Sequence, residues 1–224
     1  MYLIRDSKVQ LLYEKTAQIL LEELSNQTRE TFIAIDTEST TIDFLQYILK
    51  KANLLSKEKW ELLKFCQTNE NLDYPRFHML WDEFFEPLIK QNYLTQKQVI
   101  KYDEKDKNPL LSYNVKVRKI DFAILTVGAN TSIAGLDPKQ EVTREMGLEY
   151  VSFYNQKTLS KDITLTKAML KNTTVFALFM SENKRKAYEL FMDEKTSEEK
   201  CTAKTLMKTK KLYIVTNLKQ KSYM

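Results

Sequence analysis

The sequence predicts an α/β fold: a mostly parallel sheet with helices on both faces, in a single domain spanning residues 1–224. Three observations carry that expectation. Four short runs are apolar almost without a break: Thr31–Ile35, Ile120–Val127, Val175–Phe179 and Leu212–Thr216. Strands covered on both faces read this way, whereas a sheet with one wet face alternates apolar and polar residues. Stretches with helical spacing lie between the runs, and the segments that follow the runs are polar, rich in Thr, Ser, Asn and Asp. A chain of this length buries roughly 70% of its unfolded surface, enough for a core without a staple.

Taken in order, Ser7–Ser25 places Val9, Leu12, Tyr13, Thr16, Ile19, Leu20 and Leu24 on one helical face, with Ser7 as its N-cap. Thr31–Ile35 is a buried strand, and the polar turn Asp36–Thr40 leads into a helix over Ile42–Lys51. Trp60–Cys66 is a strand or a helix edge. Arg76–Trp81 reads as a strand that ends in Asp82-Glu83, and Asn92–Tyr102 as a helix. Ile120–Val127 is the clearest buried strand and runs into Gly128–Ser132 and Ala134–Pro138. Val151–Tyr154 and Val175–Phe179 are further strands, Lys184–Met192 a helix, and Leu212–Thr216 the last strand.

Composition narrows the function. With 43% hydrophobic and 29% charged residues the chain is globular in type. No apolar run approaches the ~20 residues of a membrane span, and the first residues do not have the pattern of a signal peptide. A cytoplasmic protein with no membrane partner is the expectation. Two cysteines, Cys66 and Cys201, and one histidine, His78, argue against a structural zinc site or a disulfide framework. Both thiols read as small buried hydrophobes. Only three glycines occur where roughly fifteen would be average, which excludes a Gly-rich nucleotide loop. No cofactor and no metal are expected.

The net charge is +5. Its one concentration is near the end of the chain, where Lys204, Lys208, Lys210, Lys211, Lys219 and Lys221 follow an acidic cluster of Asp193, Glu194, Glu198 and Glu199. This is either a patch for nucleic acid or anionic lipid, or a solvated face with its flanking turn. The solvated face is the expected reading, so nucleic acid is not an expected partner. The oligomeric state stays open.

In a parallel sheet ligands sit beyond the carboxyl ends of the strands. The polar segments expected there are Asp36–Thr41, Asp82–Pro87, Gly128–Pro138 and Ser181–Lys186. In this order they resemble the 6-phosphogluconolactonases and glucosamine-6-phosphate deaminases over nearly the whole chain. Residues 121–138 are similar to the family's strand and G-x-D-G-H-x-A-S-L-F-P, with Gly128, Ala134, Leu136 and Pro138 in register. Asp162-Ile-Thr-Leu-Thr166 is similar to R-I-T-L-T, Asn183–Lys186 to G-x-x-K, Asp82–Pro87 to D-E-R-F-V-P, and Asp36–Thr41 to the G-G-S-T-P phosphate loop. The resemblance implies a deaminase/lactonase-like, Rossmann-like domain acting on a sugar phosphate.

Several positions depart from the family pattern. Ser132 stands where the resemblance implies the lactonases' general-base histidine, behind Asn130 and Thr131. A serine hydroxyl does not take a proton from water unaided. Thr37 and Glu38 replace the loop glycines, and Phe84 and Asp162 replace arginines. Ser39, Thr40, Asn130 and Lys186 remain for the phosphate and sugar. Asp82 and Asp137 match carboxylates that the resemblance makes functional in the deaminases, a candidate acid/base pair, though each reads first as a capping or turn carboxylate. His78 is expected in the middle of the sheet, away from the site. Ser132 as a nucleophile lacks both a G-x-S-x-G setting and a second histidine.

Three functions follow. One is a lactonase-like sugar-phosphate protein impaired in catalysis by Ser132. Another is an active isomerase or deaminase using Asp82 and Asp137. The third is a non-enzymatic protein that binds a partner or nucleic acid through the lysine-rich segment.

Overall fold

The computed structural model describes residues 1–138, 140–144 and 147–219. The central sheet has six strands: β1 (Tyr2–Arg5), β2 (Thr31–Ile35), β3 (Leu63–Gln67), β5 (Phe122–Thr126), β8 (Thr174–Phe179) and β9 (Lys211–Thr216). They lie in the order β1-β9-β8-β5-β2-β3, and every pairing is parallel. A second, antiparallel sheet joins β4 (Asn69–Asn71), β7 (Ser160–Leu165) and β6 (Tyr150–Asn155) in that order.

Both faces of the large sheet are covered, because successive side chains of a strand point to opposite faces. Phe122 and Ile124 of β5 and Phe176 and Leu178 of β8 face a core shared with α1 (Val9–Ser25) and α2 (Ser39–Lys50). Ala123, Leu125, Val175, Ala177 and Phe179 face the other core, with Tyr113 of α6 (Pro109–Lys116) and Phe191 of α7 (Arg185–Met192). The expected fold class holds. The helix expected at Ser7 begins instead after Lys8, while the Asp6 carboxylate accepts the Lys8 N–H at 2.9 Å. A short α3 (Lys57–Glu61) precedes β3 and carries the buried Trp60. Among the described residues no helix is long and apolar enough to cross a membrane.

Two expected elements need correction. Arg76–Trp81 is not a strand: α4 (Phe77–Leu80), a π-helical turn (Trp81–Phe85) and α5 (Glu86–Lys90) run on as one rod. Phe77, Leu80, Phe84 and Leu88 are buried, the helical spacing of a stripe that extends past Trp81. Pro87 has no N–H for the Glu83 carbonyl, and Gln46 of α2 supplies the donor at 2.8 Å. His78 is therefore exposed on a helix, with Nδ1 3.1 Å from the Pro75 carbonyl oxygen. Asn92–Tyr102 is not a helix either. A capping box between Thr95 and Gln98 makes one 3₁₀ turn, and Gln98 Nε2 then donates to the Trp60 and Leu63 carbonyls. Beyond it the chain extends beside β3, with Ile100 N–H donating to Phe65 O at 2.7 Å.

The strand expected at Val151–Tyr154 exists as β6 but lies in the antiparallel sheet. Its burial alternates, as one wet face requires.

Candidate functional site

From β2 the chain moves out to β3 on one side, and from β5 to β8 on the other. The carboxyl ends of β2 and β5 therefore flank a switch point, where no crossover connection covers the crevice. A cavity of about 150 Å³ opens there, lined by Asp36, Glu38, Asn69, Thr126, Gly128, Ser132, Ala134, Gly135 and Lys184.

Asp36 follows the last residue of β2 and is 2% exposed. Its carboxylate accepts the backbone N–H groups of Thr126 and, at 3.2 Å, Glu38. Burial pushes its pKa up to about 7, assisted by the nearby Glu38 charge and opposed by the Thr41 hydroxyl and the Thr126 N–H. Glu38 is exposed and does face the cavity, 4.0 Å from Arg76. Ser39 and Thr40 form the first turn of α2, immediately after it. Their position at a helix N-terminus favours an anion.

The loop after β5 is tightly turned. Thr131, Ala134 and Gly135 have φ of 69°, 48° and 74°. A Cβ on Gly128 would meet Ser132 Oγ at 2.2 Å and Asn130 Oδ1 at 2.6 Å, so this approach needs glycine. Ser132 Oγ donates to Asn130 Oδ1 at 2.7 Å, and Asn130 Nδ2 donates to Asp137 Oδ2 at 2.5 Å. Asp137 is buried, and the same oxygen pairs with Lys157. The chain of contacts continues: Asp137 N–H to Gln140, Gln140 to Asn155 Oδ1, and Asn155 Nδ2 to Asp162. Ser160 Oγ donates to Asp162 Oδ1 and accepts from Asn71. Asp162 thus serves the β6–β7 hairpin and is not among the cavity-lining residues.

Lys184, rather than Lys186, lines the cavity. Ser181 explains the register. At φ 72° and ψ 158° it holds a conformation that is almost the preserve of glycine. The glycine-like position of the G-x-x-K resemblance is thus Ser181, three residues before Lys184 and two before Asn183. Lys186 is exposed on α7.

Of the residues expected from sequence, Ser132 lines the cavity, Asn130 and Asp137 back it, and Ser39 and Thr40 are not in the lining but follow Glu38, which is. Asp82 is exposed on the π-helical turn and is not part of the lining. The segment that follows β3 is Thr68–Asn71, with Asn69 in the cavity; Asp82–Pro87 is not a strand end. The sequence reading missed Asp36 as a titratable group, along with Asn69 and Lys184. Asp36 was findable as the first polar residue after an apolar strand.

Outside the site, His78 lines a separate groove of about 750 Å³ with Phe77, Tyr102 and Lys101. Cys66 and Cys201 are buried and free, and burial pushes the Cys66 thiol up to about 12. The C-terminal lysines are largely engaged within the fold: Lys204 with the Asp193 carbonyl, Lys208 with Glu198, and Lys211 with Glu23 at 2.5 Å. Lys221 lies outside the described residues. Among the described residues no cluster of three or more His, Cys, Asp or Glu could hold a metal.

No family model matches the chain. It is 26% identical over 204 residues to a 6-phosphogluconolactonase of Borreliella burgdorferi, covering 87% of each chain. Its fold is similar to that of 6-phosphogluconolactonase from Trypanosoma cruzi, with a TM-score of 0.80 and 16% identity over 96% of this chain and 94% of that one. A structure of 6-phosphogluconolactonase from Thermotoga maritima gives 0.72 and 18%, covering 96% and 98%. A monomeric glucosamine-6-phosphate deaminase gives 0.71 and 15%, covering 96% and 97%. The resemblance to lactonases and deaminases holds in sequence at this level and in fold.

Proposed function

We propose that the chain is a 6-phosphogluconolactonase-like protein that binds a phosphorylated aldonic acid or its lactone and hydrolyses the lactone slowly. The observation that carries this reading is the cavity at the β2–β5 switch point, lined by Lys184 and by Ser132, the residue that stands where the resemblance implies a general base. A volume of about 150 Å³ has room for one anionic head, with the rest of a sugar across the open mouth. Lys184 supplies positive charge, and Ser39 and Thr40 supply the N-terminus of α2. Glu38 is offset by Arg76, and Asp36 is half-neutral near pH 7, so the site tolerates an anion. Ser132 faces the sugar, held in place by Asn130 behind it.

Loss of a positioned general base typically costs 10²–10⁴ in rate. Lactone opening is easy chemistry, so a residual rate stays measurable. Acid/base chemistry by Asp82 and Asp137 has no supporting observation, since Asp82 is exposed on a helix and Asp137 is paired with Lys157.

The test is a thermal-shift titration with 6-phosphogluconate, glucosamine-6-phosphate and inorganic phosphate. Stabilisation near 2.7 kcal/mol is expected at a hundredfold excess over Kd for 6-phosphogluconate. No shift with any of the three rejects the reading.

A further inference from the structure

We infer that Asp36 is the group that accepts the proton from the attacking water in this cavity, in place of the missing histidine. This rests on the lactone reading above and adds the residue through which turnover runs.

The argument proceeds from what else faces the cavity. The titratable and charged side chains on its walls are Asp36, Glu38 and Lys184, with Arg76 beside Glu38 and Asp137 behind Ser132. Lys184 is an ammonium and donates. Glu38 is exposed and directed to Arg76. Asp137 is held by Asn130 and Lys157. His78 lies on α4 and lines a different groove. Ser132 already donates its hydroxyl hydrogen to Asn130. Asp36 alone is buried, lines the cavity and carries no cationic partner in an ion pair among the described residues. The N–H groups of Thr126 and Glu38 fix its orientation, which is what a positioned base requires. Its poise near neutrality suits proton transfer at physiological pH.

The step balances without a cofactor. The Asp36 carboxylate takes one proton from water as the water oxygen bonds to the lactone carbonyl carbon. The tetrahedral oxyanion collapses, the bond from that carbon to the ring oxygen breaks, and the ring oxygen takes the proton back from Asp36. The new carboxylic acid releases its proton to solvent.

The experiment follows hydrolysis of 6-phosphoglucono-δ-lactone by the full chain from about pH 5 to 8, after subtraction of the spontaneous rate. The expected rate rises with pH to a plateau above about 7. Asp36→Asn is expected to lower kcat by roughly 10²–10⁴ with binding of 6-phosphogluconate retained, and His78→Ala to change nothing. A buried substitution can prevent folding, so carboxyl ¹³C titration of the wild-type chain gives a second readout. Asp36 is expected to titrate near 7 and to move when 6-phosphogluconate is added. Full kcat in Asp36→Asn, or titration near the ordinary value of 3.8, overturns the inference. A wild-type chain that binds 6-phosphogluconate yet leaves the lactone intact overturns Asp36 alone. One that neither binds nor hydrolyses overturns the lactone reading with it.

Discussion

Thr126 donates its backbone N–H to the Asp36 carboxylate, bridging the ends of β5 and β2 where the two strands diverge. The bond ties the switch point together, but it also buries a titratable group. The folded chain holds the Asp36 proton at about 7, against an ordinary value of 3.8. The unfolded chain therefore releases it first as pH rises. The Asp36 contribution to stability is greatest below about 4, falls as pH rises through the window up to about 7, and then loses no more. At 1.36 kcal/mol per unit, the loss is on the order of 4 kcal/mol. Asp36→Asn should gain on the wild type between pH 5 and 8, as read by urea denaturation at both. A difference that does not change with pH contradicts this.

Ser181 holds its glycine-like conformation beside the site. Such strain costs about 1–3 kcal/mol, partly offset by the extra chain entropy of glycine. Ser181→Gly should stabilise by about 1 kcal/mol and raise Tm by roughly 2–4 °C. A lower Tm would place more value on the Ser181 hydroxyl contact with Asn183, at 2.6 Å, than on the backbone.

Lys184 and Lys186 are two residues apart, and only Lys184 lines the cavity. Lys184→Ala should abolish the thermal shift given by 6-phosphogluconate, while Lys186→Ala leaves it in place. The reverse pattern would restore the G-x-x-K register with Asn183 in the glycine position.

Gly128→Ala would drive a methyl group against Ser132 Oγ and Asn130 Oδ1. Crowding of this kind costs about 1–3 kcal/mol. Calorimetry should show that loss together with weaker binding of 6-phosphogluconate. Unchanged binding would mean that Ser132 and Asn130 do not contact the ligand.

The strands of the large sheet were legible because burial on both faces writes continuous apolar runs. Ile120–Val127 gave both β5 and the loop that carries Asn130, Ser132 and Asp137. The rod from Phe77 to Lys90 was not legible in the same way. Its first five residues, with Arg76 before them, read as a strand, and Asp82–Pro87 reads as a strand end, whereas Gln46 satisfies the Glu83 carbonyl that Pro87 leaves without a donor. Lys184 was hidden because serine, not glycine, occupies the tight position at 181. Of the β4–β7–β6 sheet only β6 was legible, and β4 was hidden because three residues carry no period.

The contacts that run from the hairpin to the cavity also have a direction. The Asp137 carboxylate can only accept, so the Asn130 amide must donate to it and turn its oxygen toward Ser132. The Ser132 hydroxyl then spends its single hydrogen on that oxygen. What it offers the cavity is a pair of lone electron pairs. Those lone pairs suit a hydrogen-bond donor and repel a bare anionic oxygen; under the proposed function the donor is a sugar hydroxyl. Under the proposed function anion recognition falls to Lys184 and the first turn of α2, so the polarity of one serine sets which end of the ligand enters where.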